Sequence, residues 1–246
     1  MVELSIGSDQ VQYSVRGSGP ALLVPLCNFP VLDMPFVDAL ASRFTVIGAS
    51  PRGYQGSTRL QSDETYSGEM LAADLLAVCD QLGFDRFEVL GYSLTAAMGA
   101  WLASRSPRVE AVVAGGFPLL GAYERVLRGA EREAASIAED PRRADAVHRE
   151  FDIRAVLSFY GMLSTLPDGA LVTGVRCPML TFWGTDDDVL RSFNAVPDLA
   201  TSLAGYGIAS RELIGRDHAS AIAGLGDIIE DLVEWLLVHS EGSPGA

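Results

Sequence analysis

The stretch Phe87-Glu-Val-Leu-Gly91-Tyr92-Ser93-Leu94-Thr95-Ala96-Ala97-Met98-Gly99 decides how this chain is read. An apolar run suited to a buried strand passes at Ser93 directly into a run suited to a helix. A serine at such a joint has two readings. As a helix N-cap it would spend its hydroxyl on the first-turn N–H groups. As a nucleophile on a sharp strand-to-helix turn it needs small residues two positions before and after it, where bulk would collide. Gly91 meets the first requirement, and Thr95, small but β-branched, stands at the second. The same turn would lift the Ser93 hydroxyl clear of the sheet edge. It would also put the Leu94 N–H at a helix start, where positive partial charge can meet an oxyanion.

Working outward, short apolar, β-branched runs alternate with helical patterns, which predicts an α/β fold: a mostly parallel, twisted sheet with helices on both faces. Residues 2–6 and 11–15 read as an antiparallel hairpin at one edge, and 16–20 as a turn cluster. Strands are expected at 21–26, 44–49, 87–90, 109–114, 179–183 and 210–214. Helices are expected at 69–82, between an N-cap at Ser67 and a stop at Gly83, at 94–104 and at 227–239. From 118 onward the chain turns helical and charged, with candidate helices at 123–139, 141–150 and 153–163. The expected organisation is a core in two pieces, 1–117 and 174–240, a small helical insertion at 118–173, and a flexible tail at 241–246.

A hydroxyl at its ordinary pKa is a poor nucleophile, so a base must take its proton and a carboxylate must orient the base. The chain has three histidines. His148 lies in the charged insertion and His239 near the end of the last helix, and both read as solvated surface residues. His218, in Leu213-Ile-Gly-Arg-Asp217-His218-Ala-Ser, follows the last strand on a loop that leads into a helix. Carboxylates cluster in Gly184-Thr-Asp186-Asp187-Asp188, after the strand at 179–183. Such a run could hold a cation, but no histidine or cysteine lies beside it, so no metal site is expected.

Together these stretches resemble the α/β-hydrolase superfamily, in particular serine esterase- and lactonase-like members with a short helical cap, over nearly the whole chain. Gly91-Tyr92-Ser93-Leu94-Thr95 is similar to the family's G-x-S-x-G, with Thr95 in place of the second glycine. The resemblance implies Ser93 as nucleophile, His218 as base, and as acid the residue three positions past the strand-ending Gly184, which is Asp187, with Asp186 as the alternative. The order Ser93, Asp187, His218 is the family's order. Residues 44–57 are similar to its strand followed by D-x-R-G-x-G-x-S, a structural segment; Arg52, Gly53 and Ser57 fit, while Ser50 and Gln55 do not.

After 21–26 the family commonly has His-Gly, whereas this chain reads Cys27-Asn28-Phe29-Pro30. Aligned with H-G-x-P, these residues make the Phe29 N–H the second donor of an oxyanion hole, opposite that of Leu94. Asn28 would then take over the glycine's conformation, which Asn tolerates better than most residues. Cys27 reads as a buried strand-end thiol. The insertion falls where cap segments often occur in the family, and aromatic residues such as Phe117, Phe159 and Tyr160 could pack it onto the core or line an apolar pocket above Ser93.

The implied function is cleavage of a small, moderately apolar carboxylic ester or lactone through an acyl-enzyme on Ser93, without a cofactor. The same triad could serve carbon–carbon bond hydrolysis, perhydrolysis, acyl transfer or a lyase reaction. Dehalogenase and epoxide-hydrolase chemistry are disfavoured, because relatives of those kinds carry aspartate where Ser93 stands. Thr95 and the missing His-Gly motivate a further alternative, a catalytically weak homologue that binds a small ligand.

Composition bounds the partners. With 246 residues, 48% hydrophobic and 20% charged, the chain suits one globular α/β domain. A net charge of −14 would be repelled by nucleic acid and by anionic membranes. The expected partner is a small-molecule substrate, with no nucleic acid and no membrane; a homo-oligomer is compatible with the sequence. No signal peptide and no apolar run of about 18 residues is seen. Cys27, Cys79 and Cys177 are widely spaced, with no CxxC, which suits reduced thiols in a cytoplasmic protein.

Overall fold

The computed structural model describes residues 1–27, 31–193 and 198–240. Along the chain come β1 (Val2–Ile6), β2 (Asp9–Arg16), β3 (Ala21–Pro25), α1 (Phe36–Ala41), β4 (Thr45–Ser50), α2 (Gly68–Gln81), β5 (Phe87–Tyr92), α3 (Leu94–Arg105) and β6 (Val109–Gly115). Four helices follow: α4 (Tyr123–Glu139), α5 (Pro141–Glu150), α6 (Ile153–Ser164) and α7 (Ala170–Thr173). The chain then returns to the sheet through β7 (Met179–Gly184), α8 (Asp188–Phe193), α9 (Leu199–Ala204) and β8 (Ala209–Leu213), and ends in α10 (His218–Ala223) and α11 (Ile229–Ser240).

The strands form one sheet in the order β1-β2-β4-β3-β5-β6-β7-β8. The hairpin β1–β2 and the β2–β4 junction are antiparallel, and every pair from β4 to β8 is parallel. β3, β4, β5 and β7 are buried at every position, because helices cover both faces; hence they read as continuous apolar runs. On one face α1, α10 and α11 bring Leu40, Ile222, Leu232 and Leu236 against Leu22, Leu90 and Phe182. On the other, α2 and α3 pack with α4, α6 and α7 around Leu75, Val89, Phe117 and Phe159.

Most expected elements are present within a residue or two. Ser67 caps α2, its hydroxyl accepting the Met70 N–H at 3.1 Å. The helices α1, α7, α8 and α9, four to six residues long and too short to show a helical period, went unread. The strand expected at 210–214 begins and ends one residue earlier, and Ile214, 80% exposed, lies in the turn beyond it.

The helical segment between β6 and β7 is tied to the core where α6 begins. The Asp152 N–H donates to the Gly53 carbonyl at 2.7 Å, and the Tyr66 hydroxyl donates to the Asp152 carboxylate at 3.0 Å. Arg154 grips the same carboxylate and donates to the carbonyls of Leu60 and Gln61. No helix among the described residues is long and apolar enough to cross a membrane.

One buried charge stands out in the central strand. Glu88 on β5 is 0% exposed, and neither carboxylate oxygen has a hydrogen-bond partner among the described residues. Burial pushes its carboxyl from the usual 4.5 up to about 7; its own backbone N–H and the Ser240 hydroxyl oppose the rise, and Glu110 on β6 adds to it. A carboxyl raised on folding stabilises below its unfolded pKa, and that stability is lost as pH rises through the folded one. Chemical denaturation is therefore expected to show stability falling between about pH 4.5 and pH 7 and levelling off above that. Glu88→Gln should remove that fall and stabilise the protein at pH 8.5, by up to about 3 kcal/mol. A wild-type minus variant difference that does not change with pH would contradict this.

Candidate active site

Ser93 stands at the junction of β5 and α3 with φ 56° and ψ −123°, a positive φ that among the described non-glycine residues only Ala122 shares. Such a conformation costs about 1–3 kcal/mol and persists where its surroundings enforce it. Here the Ser93 N–H donates to the Gly115 carbonyl of β6 at 2.8 Å. The Ser93 side chain makes no capping bond to α3, which removes the reading of an ordinary N-cap serine. Gly91 is required by contact: a Cβ there would lie 2.2 Å from the Thr95 carbonyl oxygen.

Thr95, the departure from the expected second glycine, takes part in the turn. Its buried hydroxyl accepts the Tyr92 N–H at 2.9 Å and donates to the Tyr92 carbonyl at 3.0 Å. The side chain that might have obstructed the turn instead laces it.

His218 opens α10, and its ring joins the two residues expected beside it. Its Nε2 lies 3.0 Å from Ser93 Oγ and its Nδ1 2.8 Å from Asp187 Oδ2. A capping box fixes the backbone at this point: the Asp217 carboxylate accepts the Ser220 N–H and the Ser220 hydroxyl accepts the Asp217 N–H. The second Asp187 oxygen accepts the Leu190 N–H at 2.7 Å. Asp187 is 1% exposed, so its charge is held by these two donors and not by water. Asp186 and Asp188 are exposed, and Asp188 pairs with Arg191. His148 is exposed, as its position in the sequence suggested, whereas His239 is half-buried, its Nδ1 2.6 Å from the Trp235 carbonyl and its ring 4.4 Å from the Trp235 indole.

A further residue was not read from the sequence. The Tyr92 hydroxyl donates to the His218 carbonyl at 2.6 Å, and its ring lies 5.3 Å from the imidazole and 5.6 Å from Phe182. The pair Gly115-Gly116 leaves the slot for these rings: a Cβ on Gly115 would meet Phe182 at 2.3 Å, and one on Gly116 would meet Tyr92 at 2.6 Å. Two adjacent glycines ending a strand were the available signal. Leu94, the first residue of α3, carries a first-turn N–H with no acceptor inside the helix. The other expected donor, Phe29, lies with Asn28 and Pro30 outside the described residues.

Comparison with known proteins speaks to the family and the fold. The alpha/beta hydrolase fold family matches residues 30–241. A fluoroacetate dehalogenase of a Burkholderia species is 34% identical over 110 residues, 42% of this chain but only 36% of that protein's length. A solved structure from a study of carboxylesterases of the thaumarchaeon Nitrososphaera gargenis superposes with a TM-score of 0.73 at 20% identity, over 98% of this chain and 100% of the other. The enol-lactonase of Burkholderia xenovorans gives 0.70 at 20% identity, over 96% and 100%. At such identities the two structures speak for the fold alone.

The lacing of the turn is open to test. Thr95→Val keeps the shape but leaves the buried Tyr92 N–H without its acceptor, which should destabilise the protein by about 1–3 kcal/mol in urea unfolding. Thr95→Ser, which keeps the hydroxyl, should recover most of that loss. Equal stability of the valine variant and the wild type would show that the hydroxyl does not hold the turn.

Proposed function

Since the chain belongs to the alpha/beta hydrolase fold family, we propose that it is a serine hydrolase that cleaves a small, moderately apolar carboxylic ester or lactone. The observation that carries this reading is the unbroken line from Asp187 through His218 to Ser93, with both hydrogen-bond distances at or below 3.0 Å. The strained turn that presents Ser93 supports it.

In this mechanism His218 Nε2 takes the Ser93 proton as Oγ attacks the substrate carbonyl, forming a tetrahedral oxyanion. Asp187 keeps the Nδ1–H directed at itself and stabilises the imidazolium that forms. The Leu94 N–H, with the Phe29 N–H that the sequence leads one to expect, receives the oxyanion. As the carbonyl re-forms, the bond to the leaving oxygen breaks and His218 Nε2–H protonates that oxygen. Water then gives a proton to His218 and attacks the acyl-enzyme, and His218 returns the proton to Ser93. The helical segment 118–173 acts as a cap over the substrate. The dehalogenase likeness does not redirect this chemistry, because the nucleophile here is a hydroxyl and not a carboxylate.

Tyr92 enters as a positioning residue, since its hydroxyl holds the His218 backbone. With p-nitrophenyl acetate and butyrate as substrates, Ser93→Ala and His218→Ala should each lower kcat by roughly a thousandfold or more. Turnover that survives Ser93→Ala would refute the reading. Tyr92→Phe, which keeps the ring but loses the hydroxyl, is expected to lower kcat about tenfold. In a His218→Ala background it should add no further loss; an equal loss in both backgrounds would show a merely structural role.

A further inference from the structure

The loops that carry Asp187 and His218 leave the sheet side by side. β7 and β8 are neighbours, and Gly184, the last residue of β7, stands beside Leu213, the last of β8. Asp187 comes three residues beyond Gly184, and His218 five beyond Leu213. The strand ladder ends at that pair, so the 2.8 Å bond between Asp187 and His218 spans two loops that the sheet no longer aligns.

Each residue is fixed within its own loop. Asp187 donates its N–H to the Gly184 carbonyl at 3.1 Å and accepts the Leu190 N–H on its free oxygen. His218 is held by the capping box of Asp217 and Ser220 and by the Tyr92 hydroxyl on its carbonyl. What remains to be set is the relation of one loop to the other.

Three further hydrogen bonds make that crossing among the described residues. The Thr185 N–H donates to the Leu213 carbonyl at 3.0 Å, and the Asp186 N–H to the Arg216 carbonyl at 3.0 Å. Both join backbone to backbone, so they do not depend on side-chain identity. The third depends on a side chain: the Gly215 N–H donates to the Thr185 hydroxyl oxygen at 2.8 Å. Gly215 has φ 68° in a turn that the Arg216 N–H closes on the Leu213 carbonyl at 3.3 Å, a backbone that favours glycine.

Thr185 spends its other groups on the same junction. Its carbonyl accepts the Arg191 guanidinium at 2.7 Å, and its hydroxyl donates to the Asp186 carboxylate at 3.4 Å. The loops also meet without slack, since a Cβ on Gly184 would lie 1.9 Å from the Arg216 carbonyl oxygen. A shift of one loop is therefore felt by the other.

We infer that Thr185 is a positioning residue: through the Gly215 N–H its hydroxyl sets the loop of Asp187 against the loop of His218. It acts through the Asp187–His218 bond, and this rests on the serine-hydrolase reading above. That bond matters most as the imidazolium forms, so the tie belongs to kcat and not to substrate binding.

Thr185→Val keeps the shape of the side chain and removes the acceptor, whereas Thr185→Ser keeps the acceptor. With p-nitrophenyl butyrate the valine variant should lose about fivefold in kcat at unchanged KM, and the serine variant should recover most of it. Thermal melting checks folding, and Thr185→Ala repeats the measurement if the valine variant does not fold. Proton NMR gives a readout that a general weakening of the fold would not move. The downfield His218 Nδ1–H resonance should shift upfield in the valine variant and return in the serine one. An unchanged kcat, a loss that serine does not recover, or an unshifted resonance would overturn the tie while leaving Ser93-dependent turnover intact. The resonance is read without turnover, so it decides the tie even where activity survives Ser93→Ala and the hydrolase reading fails.

Discussion

The backbone of Ser93 is the constraint on which the site depends. A left-handed φ at a serine is unfavourable by itself, and the fold holds it there from three directions. Gly91 allows the chain to close on the first turn of α3, the Thr95 hydroxyl ties both polar groups of Tyr92, and the Gly115 carbonyl receives the Ser93 N–H. None of these contacts involves the Ser93 hydroxyl itself; they hold the turn that carries it.

The other members of the site arrive from far along the chain. His218 is 125 residues from Ser93 and 31 from Asp187 in sequence. Parallel strands bring them together because each contributes its carboxyl end to the same edge of the sheet. β5 delivers Ser93, β7 leads into Asp187 and β8 into His218. Tyr92 closes the arrangement, since the residue before the nucleophile grips the backbone of the base. Turn and base are thus set by one another, and Gly115-Gly116 provides the space for that coupling.

Much of this was legible in the sequence because the signals are local. The strand-to-helix joint at Ser93, the glycine-ended strand before Asp187 and the loop before His218 each occupy a few consecutive residues. The helices of the segment at 118–173 were legible from their periodicity, and α4 and α5 begin and end where expected. What escaped is what arises between distant residues. Thr95 read only as a departure from the family's second glycine, because its hydroxyl bonds exist only once the turn has formed. The role of Tyr92 depends on His218 arriving from the far end of the chain. Short helices such as α1, α8 and α9 owe their form to packing and leave no period to read.

The central claim is that Ser93 is an activated nucleophile. The most direct measurement treats the folded protein with a fluorophosphonate and locates the adduct by peptide mass spectrometry. The account predicts a single adduct on Ser93, formed at a rate that collapses in His218→Ala. A folded protein that acquires no adduct, or one labelled at another side chain, would contradict it.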